Sequence, residues 1–182
     1  MIDDIYIFDN IIDSKAQRKI QQIIFNKIRW QFIADVTKPD NKQQRPGFKI
    51  MFNQLHPSID LVLKNTIKKL KLKNPTLLEA RTFLQLPLDK KYIGEGVDTP
   101  HLDRTTPHWS FIYYVEDSDG DTIIYDYKSK NENDIPYFED VKELKRIKPK
   151  QGTIVAFDGL HWHTAEQPTK NKRCIINFNV NK

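Results

Sequence analysis

Apolar and polar positions along the first third of the chain repeat with two different periods. Residues 2–8 (IDDIYIF) alternate as a strand does. Asp13 or Ser14 then offers an N-cap oxygen to SKAQRKIQQIIFNKI, where Ile20, Ile23, Ile24 and Ile28 recur at helical spacing. A helix with one apolar stripe needs something flat to cover it. Trp30 to Val36 reads as a short strand, and TKPDNKQQRPG (37–47) as a polar loop. A second helix is predicted from Ser58 to about Leu72, with Ile59, Leu63, Ile67 and Leu70 on its apolar side and Asn74-Pro75 closing it.

From Leu77 onward the texture changes to short β-type runs between turns: LLEARTFLQLPL, WSFIYYV, DTIIYDY, GTIVAF and RCIINFNV. Helices that need a sheet, followed by many short strands, predict a mainly β fold. We expect a β-sandwich or jelly roll, with the N-terminal helices packed on one outer face of a sheet. YKSKNENDIPYFEDVKELKR (127–146) is more polar than its flanks and reads as a long loop between strands. No internal repeat is visible.

Length changes the picture only by setting its scale: 182 residues suit one domain, with a helical part over 1–75 and a jelly-roll core over 76–182. With 38% hydrophobic and 29% charged residues, the chain lies in the globular range. The net charge of +5 comes from a lysine excess that is mostly dispersed or segmental, and its densest run, LKNTIKKLKLKN (63–74), reads as a helix with a solvated face. No aromatic residue interleaves with those lysines, so a nucleic-acid partner is not expected. The single cysteine, Cys174, excludes an internal disulfide and a cysteine-based zinc site. An acidic start and no long apolar run predict a soluble, reducing, cytoplasmic setting with no membrane partner.

The candidate chemistry lies in the second half. His101 and Asp103 stand at i and i+2 in PHLDR, so an extended backbone would point both to one face. HLD alone is cheap by chance, and the bland reading is a capping His beside an Asp paired with Arg104. Two further histidines, His161 and His163, follow GTIVAFDGL, and either could swing back to complete a set of two His and one carboxylate. That set binds non-haem iron(II) and leaves positions open. Arg173, ten positions after His163, opens the last apolar strand; its planar fork suits a carboxylate, although an edge-strand charge would look the same.

YIGEGVDTPHLD, SFIYYVEDSDGDTIIYD and KPKQGTIVAFDGLHWHTAEQPTKNKRCIINFNV together resemble the 2-oxoglutarate and iron(II)-dependent dioxygenase superfamily, in its prolyl 4-hydroxylase-like branch with small phage and bacterial members. The resemblance spans about residues 80–180, and it implies a cupin-like double-stranded β-helix, which is a jelly roll. It implies His101, Asp103 and His163 as iron ligands, with His163 preferred because HTAEQP follows the family's pattern. It implies Arg173 as the anchor of the co-substrate 2-oxoglutarate. Tyr92, nine residues before His101, and Thr122 of the GDT turn would join that pocket. Asp119 departs from the pattern, which has glycine there.

What the resemblance implies is an Fe(II)- and 2-oxoglutarate-dependent dioxygenase that consumes dioxygen, hydroxylates a C–H bond of a peptide, amino acid or small molecule, and releases succinate and CO2. Arg104, His108, Trp109 and Trp162 stand near the ligands as candidate substrate contacts, with loops 37–47 and 127–146 choosing the substrate. Two other readings compete: a catalytically silent metal-binding jelly roll, and a cupin-like isomerase. The second has no use for a carboxylate clamp at Arg173.

Overall fold

The computed structural model describes residues 5–34, 45–92, 97–131 and 141–182. In chain order the elements are β1 (Ile5–Phe8), α1 (Ser14–Asn26), β2 (Gln31–Ile33), β3 (Gly47–Met51), α2 (Pro57–Leu70), β4 (Leu77–Gln85), β5 (His108–Tyr114), β6 (Thr122–Lys128), β7 (Glu143–Ile147), β8 (Ile154–Asp158), β9 (His161–Ala165) and β10 (Arg173–Asn181). A short 3-10 turn occupies Lys90–Tyr92. Seven strands form an antiparallel sheet in the order β1-β8-β5-β10-β4-β3-β2, and three form a smaller one in the order β7-β6-β9. Two facing antiparallel sheets make the expected jelly roll.

The helices form where the pattern places them. Asp13 caps α1 by accepting from the Ala16 amide at 2.8 Å, and the helix buries Ile20, Ile23 and Ile24. α2 begins at Pro57 with His56 as its cap, and it ends earlier than Asn74-Pro75 predicts. Lys71 adopts the left-handed conformation (φ 54°, ψ 37°) while Leu72 N–H donates to Ile67 O and Lys71 N–H to Lys68 O. Those paired bonds satisfy the last carbonyls and stop the helix. No helix of the described residues is long and apolar enough to cross a membrane.

Strand parity divides the large sheet into two faces. Cys174, Ile176, Phe178 and Val180 of β10 point outward with Phe111, Tyr113, Ile154 and Ala156 of neighbouring strands, and α1 and α2 cover them. Each fully buried side chain of this size contributes about 1.5–3 kcal/mol to holding the helices down. The opposite parity (Arg173, Ile175, Asn177) faces the small sheet, where Ile112, Tyr114, Ile124, Val155 and Phe157 form a second core beside an open space.

Three strands were not legible in advance. β3 follows directly on the predicted loop 37–47, of which residues 37–44 lie outside the described residues. β7 falls inside the supposed loop 127–146, pairing with β6, which itself runs through Lys128; residues 132–140 are outside the described residues. β9, HWHTA, pairs with β6 as the edge of the small sheet. β1, β2 and β3 all join the large sheet, so the first 75 residues add strands to the jelly roll as well as helices.

Candidate active site

Residues 97–101 run antiparallel beside β9, with bridges Val97↔Glu166 and His101↔His163. His101 and His163 exchange both backbone hydrogen bonds (3.0 and 3.1 Å), and residues so paired project to one face. Their ring centroids lie 4.7 Å apart. The Nδ1 atoms sit 3.2 Å from Thr99 O and 3.1 Å from His161 O. A carbonyl only accepts, so each Nδ1 carries the proton and each Nε2 keeps its lone pair for a metal.

Beyond His101 the chain bends, so Asp103 is not placed by strand geometry as an extended H-x-D would be. Side chains of the large sheet hold it instead. Ser110 Oγ and Asn177 Nδ2 donate to Oδ2 at 3.1 and 3.0 Å, and the Arg81 guanidinium contacts Oδ1. Its carboxyl stands 3.9 Å from His101 Nε2 and 3.7 Å from His163 Nε2, and one ligand atom from each residue falls within 4.8 Å of the others. Burial alone would raise the pKa of Asp103, but Arg81 and the two histidines outweigh it and hold the group well below the carboxylate range. Burial lowers His163 to about 4. The trio therefore offers a carboxylate and, at His163, a neutral nitrogen donor at neutral pH, and with the His101 Nε2 beside them it fits a divalent metal with open positions.

His161 takes no part in this cluster. Its Nδ1 faces Tyr125 O at 2.9 Å, beside Lys128 and Asp158.

The cavity beside the trio measures about 370 Å³ and is shared with Arg173 and Thr122. Arg173 is 4% exposed, and it donates from Nε to Gly120 O (3.0 Å), from Nη1 to Gln85 Oε1 (3.3 Å) and from Nη2 to Thr122 Oγ1 (2.8 Å). Of five guanidinium protons, three are thus taken by protein, leaving one on each terminal nitrogen for a carboxylate. Gln85 is itself fixed by donating to Asp98, which pairs with the buried Arg45 at 2.8 Å. Thr122 also accepts from Tyr114 OH at 2.9 Å, so its own hydroxyl proton is free for a ligand. Burial pushes the Tyr114 phenol up to about 12, keeping it a neutral donor.

Tyr92 is not brought to this cavity. It sits in the 3-10 turn at 68% exposure, with Lys91 over its ring, and the phenol beside Thr122 belongs to Tyr114. Of the candidate substrate contacts, none lines the cavity: His108 is fully buried, Trp109 lies beneath Lys182, Trp162 packs with Leu102 and Tyr125, and Arg104 lies outside the lining. Asp119, the departure from pattern, accepts from the backbone amides of Thr169, Lys170 and Asn171 and fastens the loop before Arg173. The residues missed beforehand (Arg81, Ser110, Tyr114 and Asn177) share one signal: polar groups at inward-facing positions of otherwise apolar strands.

A partly buried two-nitrogen, one-carboxylate trio that shares a cavity with an arginine fork defines the class: a non-haem metal oxygenase with a diacid co-substrate. Residues 90–181, just over half of the chain, match the family described as the 2OG-Fe(II) oxygenase superfamily, and the chain belongs to it. It is an enzyme of the 2-oxoglutarate-dependent oxygenase class, with iron(II) and 2-oxoglutarate as its cofactor and co-substrate and dioxygen as the other reactant. No curated protein matches the chain by sequence. Solved structures share its fold. The viral collagen prolyl hydroxylase of Paramecium Bursaria Chlorella virus-1, as its 2OG complex, matches with TM-score 0.61 and 14% identity, covering 97% of this chain and 95% of that one. HygX from Streptomyces hygroscopicus, with nickel and 2-oxoglutarate bound, matches with TM-score 0.65 and 11% identity over 98% and 83%. The carbocyclase SnoK of nogalamycin biosynthesis matches with TM-score 0.71 and 9% identity over 98% and 79%.

Proposed function

We propose that the chain hydroxylates a C–H bond of a peptide, amino acid or other small molecule, with His101, Asp103 and His163 holding the iron and Arg173 and Thr122 holding the far carboxylate of 2-oxoglutarate. Bound together, iron(II) and 2-oxoglutarate supply the oxidising power, with succinate and CO2 as by-products. The observation that carries the reading is that the metal trio and the Arg173 fork line one cavity. Arg81, Ser110 and Asn177 fix the Asp103 carboxylate, so the metal geometry is set before ligand arrives. Gly120, Gln85 and Thr122 do the same for the guanidinium. Tyr114, whose hydroxyl donates to Thr122 behind the cavity wall, is our candidate for the role that the motif pattern gives to Tyr92.

The apolar walls, Ile112, Leu102 and Ile175 among them, exclude water from the reacting bond. A cytoplasmic site of action suits a chain whose sole cysteine is free and buried.

Anaerobic titration with iron(II) and then 2-oxoglutarate tests the reading through the metal-to-ligand charge-transfer band, followed by succinate release in air. We expect both signals. A band without succinate under any substrate would favour a silent binding module, and no band would remove the 2-oxoglutarate assignment.

A further inference from the structure

Lys49 lies on β3 opposite Phe83 of β4, which in turn lies opposite Ile175 of β10. That register puts Lys49 on the inward face, where its half-buried side chain lines the cavity beside Ile33 and Phe83. Two strand spacings, about 10 Å, separate it from β10 and hence from the Arg173 end. Among the described residues, every other charge lining the cavity has a counter-charge: Asp98 has Arg45, Asp103 has Arg81, and Arg173 has the co-substrate carboxylate proposed above. Among the described residues Lys49 has no ion pair and no side-chain hydrogen bond. Packing alone does not explain a lysine on this wall beside Ile33 and Phe83 with no counter-ion among the described residues, since an apolar side chain would fit there better.

We propose that Lys49 is the anion-binding residue of the substrate subsite, and that the substrate is a small carboxylic acid with an apolar body. This rests on the 2-oxoglutarate reading. One ammonium between Ile33 and Phe83 matches one carboxylate on an apolar group, whereas a phosphate draws several donors or a helix N-terminus. A small body suits the cavity, whose 370 Å³ is near the lower end for ligand sites and is shared with the co-substrate. An internal peptide segment without an acidic side chain would leave Lys49 without its partner.

The test uses full-length protein loaded with nickel(II), a non-turnover stand-in, and 2-oxoglutarate. Calorimetric titration compares apolar α-amino and α-hydroxy acids with their carboxamides. At least one acid should bind, with its amide roughly tenfold weaker or worse. Lys49→Met should bring the acid to the amide's affinity while 2-oxoglutarate affinity stays within about twofold of wild type. Equal binding of acid and amide, no acid binding at all, or an unaffected Lys49→Met variant would overturn the proposal. Weakened 2-oxoglutarate binding in that variant would overturn it too, placing Lys49 at the co-substrate. Failure of wild-type protein to bind 2-oxoglutarate, seen before any acid is added, would refute the underlying reading and this inference with it.

Discussion

Replacing Arg173 with Gln should detach 2-oxoglutarate while leaving the metal in place. The guanidinium has three N–H groups committed to Gly120, Gln85 and Thr122, and two remain for the ligand. Charge-assisted hydrogen bonds contribute about 1.5–3 kcal/mol each. Losing two that act as a pair removes about 3–4 kcal/mol, or roughly 10²- to 10³-fold in affinity. Arg173→Lys keeps a charge but has no fork and cannot satisfy Gly120 O from the same position, so it should recover only about tenfold of that loss. The assay is the charge-transfer band during anaerobic titration with 2-oxoglutarate, beside a separate iron titration and a circular dichroism spectrum to show that the fold is kept. A variant that is folded, binds iron normally and binds 2-oxoglutarate within threefold of wild type would refute the fork argument.

His163→Ala should weaken iron binding by about 10²-fold or more, measured by equilibrium dialysis, whereas His161→Ala should change it by less than about tenfold; equal losses would move the distal ligand to His161. Asp119→Ala should destabilise the chain by about 1–2 kcal/mol, since a partly exposed carboxylate loses its bonds to three amides. Faster hydrogen exchange at Thr169, Lys170 and Asn171 is the check. Burial works to raise Asp119, but those amides and the Thr169 hydroxyl outweigh it and bring it from 3.8 to about 2. Its stabilising share is therefore complete above about pH 4 and fades as pH falls toward 2, and it should be absent from the variant's acid denaturation curve. Gly120→Ala would put a Cβ 2.5 Å from Glu166 O and 3.1 Å from Arg173 Cδ, so thermal stability and 2-oxoglutarate affinity should fall together with iron binding unchanged.

The helices and the outer face of the sheet were legible because their burial follows the simple periods. Ile20, Ile23 and Ile24 lie buried as the stripe required, and Cys174, Ile176, Phe178 and Val180 alternate into the core beneath the helices. The inner face obeys a different rule. Arg173, Asn177, Ser110 and Arg81 occupy inward positions because they line a polar cavity or brace a carboxylate, and that breaks the apolar alternation by which strands are recognised. β9 was hidden in the same way, since HWHTA presents the distal histidine and not an apolar stripe.

The site divides along a similar line. Its metal trio was readable because two members are two residues apart and the third stands at a fixed distance from an arginine. The side chains that hold the trio in place reach it through strand pairing: Gln85 meets Arg173 across 88 positions, and Arg81 meets Asp103 through the neighbour of β10. Tyr92 and Tyr114 show why spacing to a motif is the weaker guide. Tyr92 matches an expected interval, yet its backbone lies in an exposed turn. Tyr114 matches no interval, but it pairs with Ile175 in register, two positions from Arg173 on the same inward face, and that parity delivers its hydroxyl to Thr122. Lys49 belongs with Tyr114: an inward polar residue on a strand that the sequence pattern did not reveal, identifiable only once β3 is paired to β4, and it is there that the substrate's charge is to be sought.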